Sequence, residues 1–390
     1  MRIGLIAVGD TGDAAEAGLL AGRSLARHQL DFALAQGCEK IILLGYGASK
    51  EAIALRHAAE AGGAQCQVAR SIRDLPAAVR GDDRLLVLAH GLLPDSPVAF
   101  DQLEQGYGML VLPAEAGWSA GFERLDLAAA WGGAMALPGR LVAGLDELPE
   151  DADPIAALLR LARQGGVPER ALAESELVEG RWQIVRTAAA AHTAEPAWLR
   201  RRLPPVSRFR PTAWLARALV RRFASPWIDQ RRAAAALPAG TVLALAAALA
   251  AAWFGFPALA FAALVPAALA TEAGAAFGLL GRSLFAAESR PARLSLILRL
   301  MWDGAFVAVG ALAIDGSRAQ RLFAPLVAAG LLHVPSPAPE QGWRALAADR
   351  GVLAAWLALA AGLGLAEGGF MLLALLLIAL RIGPRAGERG

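Results

Sequence analysis

The chain of 390 residues is 56% apolar and 19% charged, with a formal net charge of +3 and a mean hydropathy of +0.44. That composition excludes a disordered chain, argues against a purely soluble protein, and is too weakly basic for a general nucleic-acid binder. Cys38 and Cys66 are the only cysteines, so no disulfide framework or cysteine-based zinc site can be built.

In chain order, Ile3–Val8, Lys40–Leu44 and Arg84–Ala89 are short, continuous apolar runs, and helical patterns separate them at Leu19–Gln36 and Lys50–Gly62. Buried strands alternating with helices predict a Rossmann-like α/β domain with a mostly parallel sheet over residues 1–195. A strand directly after Met1 leaves no place for a secretory signal, which puts this domain in the cytoplasm. His28 and His57 are expected on helices in surface or capping roles, and Cys38 and Cys66 as small packing residues. Trp131-Gly132-Gly133 fits a sheet core better than a pocket wall. Asp151–Arg163 has the acidic start of a capped helix.

Residues 196–232 carry ten arginines against a single acid, Asp229. The arginines alternate with Trp198, Leu203, Phe209, Trp214, Leu215, Leu219, Phe223 and Trp227, the composition of an amphipathic segment beside a bilayer of anionic lipids. From Ala233 to Thr271 no residue is charged, 39 positions in all. That is enough for two helical crossings, with a turn at Phe254-Gly255-Phe256-Pro257. Further apolar segments follow at Leu294–Ile314, Leu322–Pro335, Gly351–Ala366 and Gly368–Leu380. Arginines cluster before the first span, in the 281–293 loop, and in the 382–390 tail. The positive-inside rule then favours an all-α bundle of six spans over residues 233–381, in the inner membrane with both termini cytoplasmic.

Two family resemblances accompany this layout. Leu20-Ala21-Gly22-Arg23-Ser24-Leu25, Gln29-Leu30 and Gly37-Cys38-Glu39-Lys40-Ile41-Ile42 resemble the opening of sugar-phosphate nucleotidyltransferases. Leu85-Leu86-Val87-Leu88-Ala89-His90-Gly91 looks like the strand that ends in that family's metal-binding acid. The resemblance implies a nucleotide site, but Gly9-Asp10-Thr11-Gly12-Asp13 places two aspartates where triphosphate needs positive charge. His90 stands at the metal position, with Asp82, Asp83 and Asp95 close in sequence. The domain is therefore expected to bind nucleotides weakly.

The second half is similar to CDP-alcohol phosphatidyltransferases, six-helix membrane enzymes with a basic amphipathic segment before the first span. Their signature runs Asp-Gly-x-x-Ala-Arg, then Gly-x-x-x-Asp-x-x-x-Asp. Here Glu272-Ala273-Gly274-Ala275-Ala276-Phe277 falls at the first half and Ser295, Arg299 and Asp303 at the second. The resemblance implies a metal site for Mg²⁺ or Mn²⁺ at Glu272 and Asp303, with Asp303 as catalytic base, and Arg282, Arg290 and Arg299 as phosphate ligands. CDP-alcohol and a second copy of the chain are the partners it implies. Because one arginine stands where a carboxylate should, Glu272, Arg299 and Asp303 are expected to form one ion cluster that replaces metal. Arg299 and Asp303, four residues apart, also suit a simple helix ion pair. Two functions remain open on the sequence: a membrane transferase with both motifs degraded, in phospholipid or polyol-phosphodiester synthesis, or a non-catalytic scaffold or regulator paired with an active paralogue.

Overall fold

The computed structural model describes residues 1–8, 19–45, 47–223, 230–281, 291–334 and 342–382. Contacts divide the chain into two compact units, with the change from one to the other along the sequence after Leu199.

In the first unit the apolar runs become strands. The elements are β1 (Arg2–Ala7), α1 (Leu25–Ala35), β2 (Lys40–Leu44), α2 (Lys50–Ala61), β3 (Gln65–Ala69), α3 (Asp74–Ala78), β4 (Arg84–Leu88), β5 (Leu92–Pro94), α4 (Pro97–Glu104), β6 (Gly108–Pro113), α5 (Ala114–Ser119), β7 (Ala129–Pro138), α6 (Pro154–Gln164), β8 (Glu169–Ala171), α7 (Ser175–Val178), β9 (Trp182–Ile184) and α8 (Ala188–Arg202). Seven strands form one sheet in the order β3-β2-β1-β4-β7-β6-β8. Only β7 runs antiparallel to its neighbours; β1, β2, β3 and β4 pair in parallel, as do β6 and β8. The central strands β1, β2 and β4 are apolar on both faces, as strands covered by helices on both sides are, whereas the edge strands β3 and β8 are partly exposed. Ile3, Leu5, Ile41, Ile42, Leu85 and Val87 are completely buried, each worth about 1.5–3 kcal/mol of burial. Trp131 is buried in β7, a core position. Cys38 is also buried, and burial pushes its thiol up to about 12, consistent with a packing role.

Two local expectations change. The helix expected over Leu19–Gln36 starts only at Leu25. Before it the chain makes a tight turn in which Leu20 and Arg23 bridge, with Ala21 at φ 49° and Gly22 at φ 73°. Ser24 then caps α1 by accepting from the Arg27 amide at 3.3 Å. His28 is buried, not on the surface: it contacts the Leu20 carbonyl and meets Trp198 edge-on at 5.3 Å. Glu195 accepts from the Ala21 amide at 3.2 Å, and burial raises its carboxyl above the ordinary carboxylate range. These contacts fix α8 to the first unit.

The second unit is helical: α9 (Pro211–Phe223), α10 (Gln230–Trp253), α11 (Pro257–Gly281), α12 (Pro291–Ala313), α13 (Arg318–His333), α14 (Trp343–Ala347), α15 (Arg350–Gly362) and α16 (Ala366–Ile382). The segment expected to be one amphipathic linker is divided: its first residues complete α8, and α9 starts afresh at Pro211. Helices α10, α11 and α12 are long and apolar enough to cross a membrane. Their outward faces stay apolar, with Leu243, Trp253, Leu259 and Leu296 all exposed. A surface of that kind suits lipid better than water.

Among the described residues, three of the six expected spans meet the length of a crossing. Helices α13, α15 and α16 have 16, 13 and 17 residues, or roughly 20–26 Å of helix against a hydrocarbon core of about 30 Å. A close-packed centre joins all six. Phe261, Phe306 and Phe370 meet edge-on, and Trp302 stacks on Phe306 at 5.2 Å.

Candidate functional site

Several charged residues of the second unit converge where the middle stretches of α11 and α12 face the start of α15. An open cleft there is lined by Arg210, Thr212, Thr271, Glu272, Arg299, Trp302, Asp349 and Arg350. Four elements supply them, so the site is assembled by tertiary packing and not by one local motif.

Glu272, in α11, and Arg299, in α12, come together as expected, with Arg299 Nη2 3.1 Å from Glu272 Oε1. Asp303 goes elsewhere. Its carboxylate accepts two hydrogen bonds from Arg350, Nε to Oδ1 and Nη2 to Oδ2, both at 2.9 Å. His333 Nε2, at the end of α13, lies 3.0 Å from the same Oδ2. The expected Glu272–Arg299–Asp303 cluster is therefore two separate groups, and no Arg299–Asp303 bridge forms among the described residues. The physical reason is the competitor: a guanidinium at the start of α15 forks onto both oxygens of Asp303, a stronger arrangement than one Arg299 nitrogen could make. Arg350 also lies over the Trp302 ring at 5.8 Å, and the Trp302 indole donates to the Leu264 carbonyl at 3.0 Å.

Asp349, the residue before Arg350, is buried and caps two helices. Its Oδ1 accepts the Gly351 and Val352 amides at 3.0 and 3.3 Å, closing the start of α15. Its Oδ2 accepts the Thr212 amide at 3.0 Å, and Oδ1 accepts the Thr212 hydroxyl, closing the start of α9. Gly351 permits this approach, since a Cβ there would stand 2.2 Å from Thr212 Oγ1. One carboxylate thus ties the amphipathic helix to the bundle. Burial holds the Arg217 guanidinium below its ordinary value, and Glu272, Arg221 and Arg210 all act on its charge.

The expected metal site does not fit these residues. Glu272 is bound by Arg299, and Asp303 is enclosed by Arg350 and His333, so each carboxylate is already neutralised by a protein cation. Among the described residues no group of three or more His, Cys, Asp or Glu is placed to hold a metal ion. Arg282 and Arg290, expected phosphate ligands, lie outside the described residues, as do the Asp10/Asp13 loop and the arginines of the tail. In the first unit, Asp83 accepts the Arg80 amide at 2.8 Å, while Asp95 is buried and acts on the charge of Arg181.

Sequence reasoning missed Arg350, Asp349, Thr212 and Trp302. An aspartate directly before an apolar run is an N-cap signal and could have found Asp349. Compared with known proteins, the chain matches no family model, and no curated protein shows significant similarity to it.

Proposed function

We propose that the chain is an inner-membrane protein of CDP-alcohol phosphatidyltransferase-like layout, acting in phospholipid or polyol-phosphodiester synthesis as a non-catalytic partner or regulator. Support for the layout comes from the apolar helices, the basic amphipathic helix before them, and the position of Glu272 and Asp303 on consecutive helices. The observation that carries the loss of transfer is the fork of Arg350 onto Asp303, joined by His333. A base that must take a proton from an acceptor alcohol needs a free lone pair and a raised proton affinity. Two guanidinium hydrogen bonds oppose both. Breaking the diphosphate bridge to release CMP also needs metal to absorb the developing charge, and both carboxylates that would hold that metal are occupied.

The test is an assay of the full-length protein in detergent with Mg²⁺ or Mn²⁺, CDP-alcohols and polyol or polyol-phosphate acceptors, following release of CMP. No release above a protein-free control is the expected result. Metal-dependent turnover that disappears in Asp303→Asn would refute the non-catalytic reading.

A further inference from the structure

An exposed apolar face of α9 lies beside a row of partly buried arginines. Trp214, Leu215, Leu219 and Phe223 are exposed by 43%, 46%, 41% and 56%. Beside them run Arg210, Arg217 and Arg221, seven and four residues apart, a spacing that keeps them on one stripe of a helix of 3.6 residues per turn. None of the three makes an ion pair among the described residues. The Nε groups of Arg210 and Arg221 are buried without a hydrogen-bond partner, and Arg217 donates to the Pro204 carbonyl. The stripe leads into the cleft, because Arg210 lines it together with Arg299. Arg299 also has a buried Nε without a partner.

Buried guanidinium N–H groups without acceptors are costly, and an incoming phosphate oxygen would satisfy them with charge-assisted bonds. An aromatic and leucine face beside the stripe matches the level of glycerol and the upper acyl chains.

We infer that α9 and the mouth of the cleft form a binding site for the phosphate of an anionic phospholipid, held by Arg210, Arg217 and Arg221, with its glycerol and acyl groups along Trp214 and Leu215. The occupant is a lipid and not free phosphate, because the apolar face and the arginines are contiguous on one helix. The inference rests on the membrane reading of the second unit and is independent of whether that unit has transferase ancestry. Through Thr212 and Asp349, the same helix is joined to the start of α15, so an occupied site braces the cleft.

The experiment uses the full-length protein in nanodiscs of phosphatidylcholine containing spin-labelled phosphatidylglycerol or spin-labelled phosphatidylcholine. The immobilised lipid fraction is read by electron paramagnetic resonance. A basic residue at an anionic surface is worth about 1 kcal/mol, roughly fivefold in affinity. The wild type should therefore hold phosphatidylglycerol well above phosphatidylcholine, and Arg210→Gln, Arg217→Gln and Arg221→Gln should each lower that preference about fivefold. Arg210→Lys should retain much of it, and Arg163→Gln, in the first unit, should leave it unchanged. Equal immobilisation of the two lipids by the wild type would overturn the inference. So would displacement of the labelled phosphatidylglycerol by millimolar inorganic phosphate, which would identify a free-phosphate site. The transferase reading fails separately, on CMP release.

Discussion

Arg350→Leu is expected to destabilise the helical unit by about 3–5 kcal/mol, the usual cost of removing one partner from a buried ion pair. The Asp303 side chain is only 8% exposed, and that of Arg350 22%, so the abandoned carboxylate has little water to turn to. His333 is half exposed and supplies one contact in place of three. Adding Asp303→Asn removes the charge and should recover most of the loss. Arg299→Leu, by contrast, should cost less than about 1 kcal/mol, since Arg299 is 40% exposed and its pair with Glu272 is screened. Heat or denaturant midpoints in detergent, followed by helical circular dichroism, separate these cases. An Arg299→Leu loss larger than that of Arg350→Leu would show that the two ion groups have been ranked wrongly.

The second large effect belongs to Asp349. Removing a capping side chain costs about 1 kcal/mol per helix, and Asp349 caps α9 and α15 together. Asp349→Ala also leaves the buried Thr212 hydroxyl without its acceptor, for about 1–3 kcal/mol more. A total of about 3–5 kcal/mol is expected on those grounds. Thr212→Val, which removes the hydroxyl but leaves the amide bond and the α15 cap, should lose less than half as much. Limited proteolysis offers a local readout: cleavage between Arg200 and Arg222 should accelerate in Asp349→Ala before the rest of the unit unfolds. Wild-type proteolysis rates there would mean that Asp349 does not hold α9 in place.

The first unit was largely legible because its signals are local. Continuous apolar runs at Ile3, Lys40 and Arg84 are parallel strands covered on both faces, and the pattern needs no distant information. The start of α1 was misread because Leu19 and Leu20 suit a helical period, whereas the turn through Ala21 and Gly22 depends on backbone conformation and on Glu195, 174 residues further on. In the helical unit the apolar segments were plain, yet their lengths as helices fell short at α13 and α15. Ser317 and Asp349 cap the starts of those helices, and α15 stops at Gly362, just before the positive-φ turn at Gly364.

The site was legible in its residues and not in its pairings. Glu272, Arg299 and Asp303 stood out as charges in apolar surroundings, and charges of that kind mark sites. Helical spacing of four residues suggested Arg299 for Asp303. The actual partners lie 47 and 30 residues away, at the start of α15 and the end of α13. No pattern within a single segment specifies them. Only the packing of α12 against α13, and the cap that fixes the start of α15, bring them to the carboxylate.

Whether protein cations occupy the carboxylates that a transferase would give to metal is read by Mn²⁺ binding to the full-length protein in detergent. Free Mn²⁺ is counted by its electron paramagnetic resonance signal as metal is added. No saturable binding in the micromolar range is expected for the wild type, and a site should appear in Arg350→Ala, where Asp303 is released. One Mn²⁺ bound per wild-type chain, lost in Asp303→Asn or Glu272→Gln, would contradict that occupation of the carboxylates.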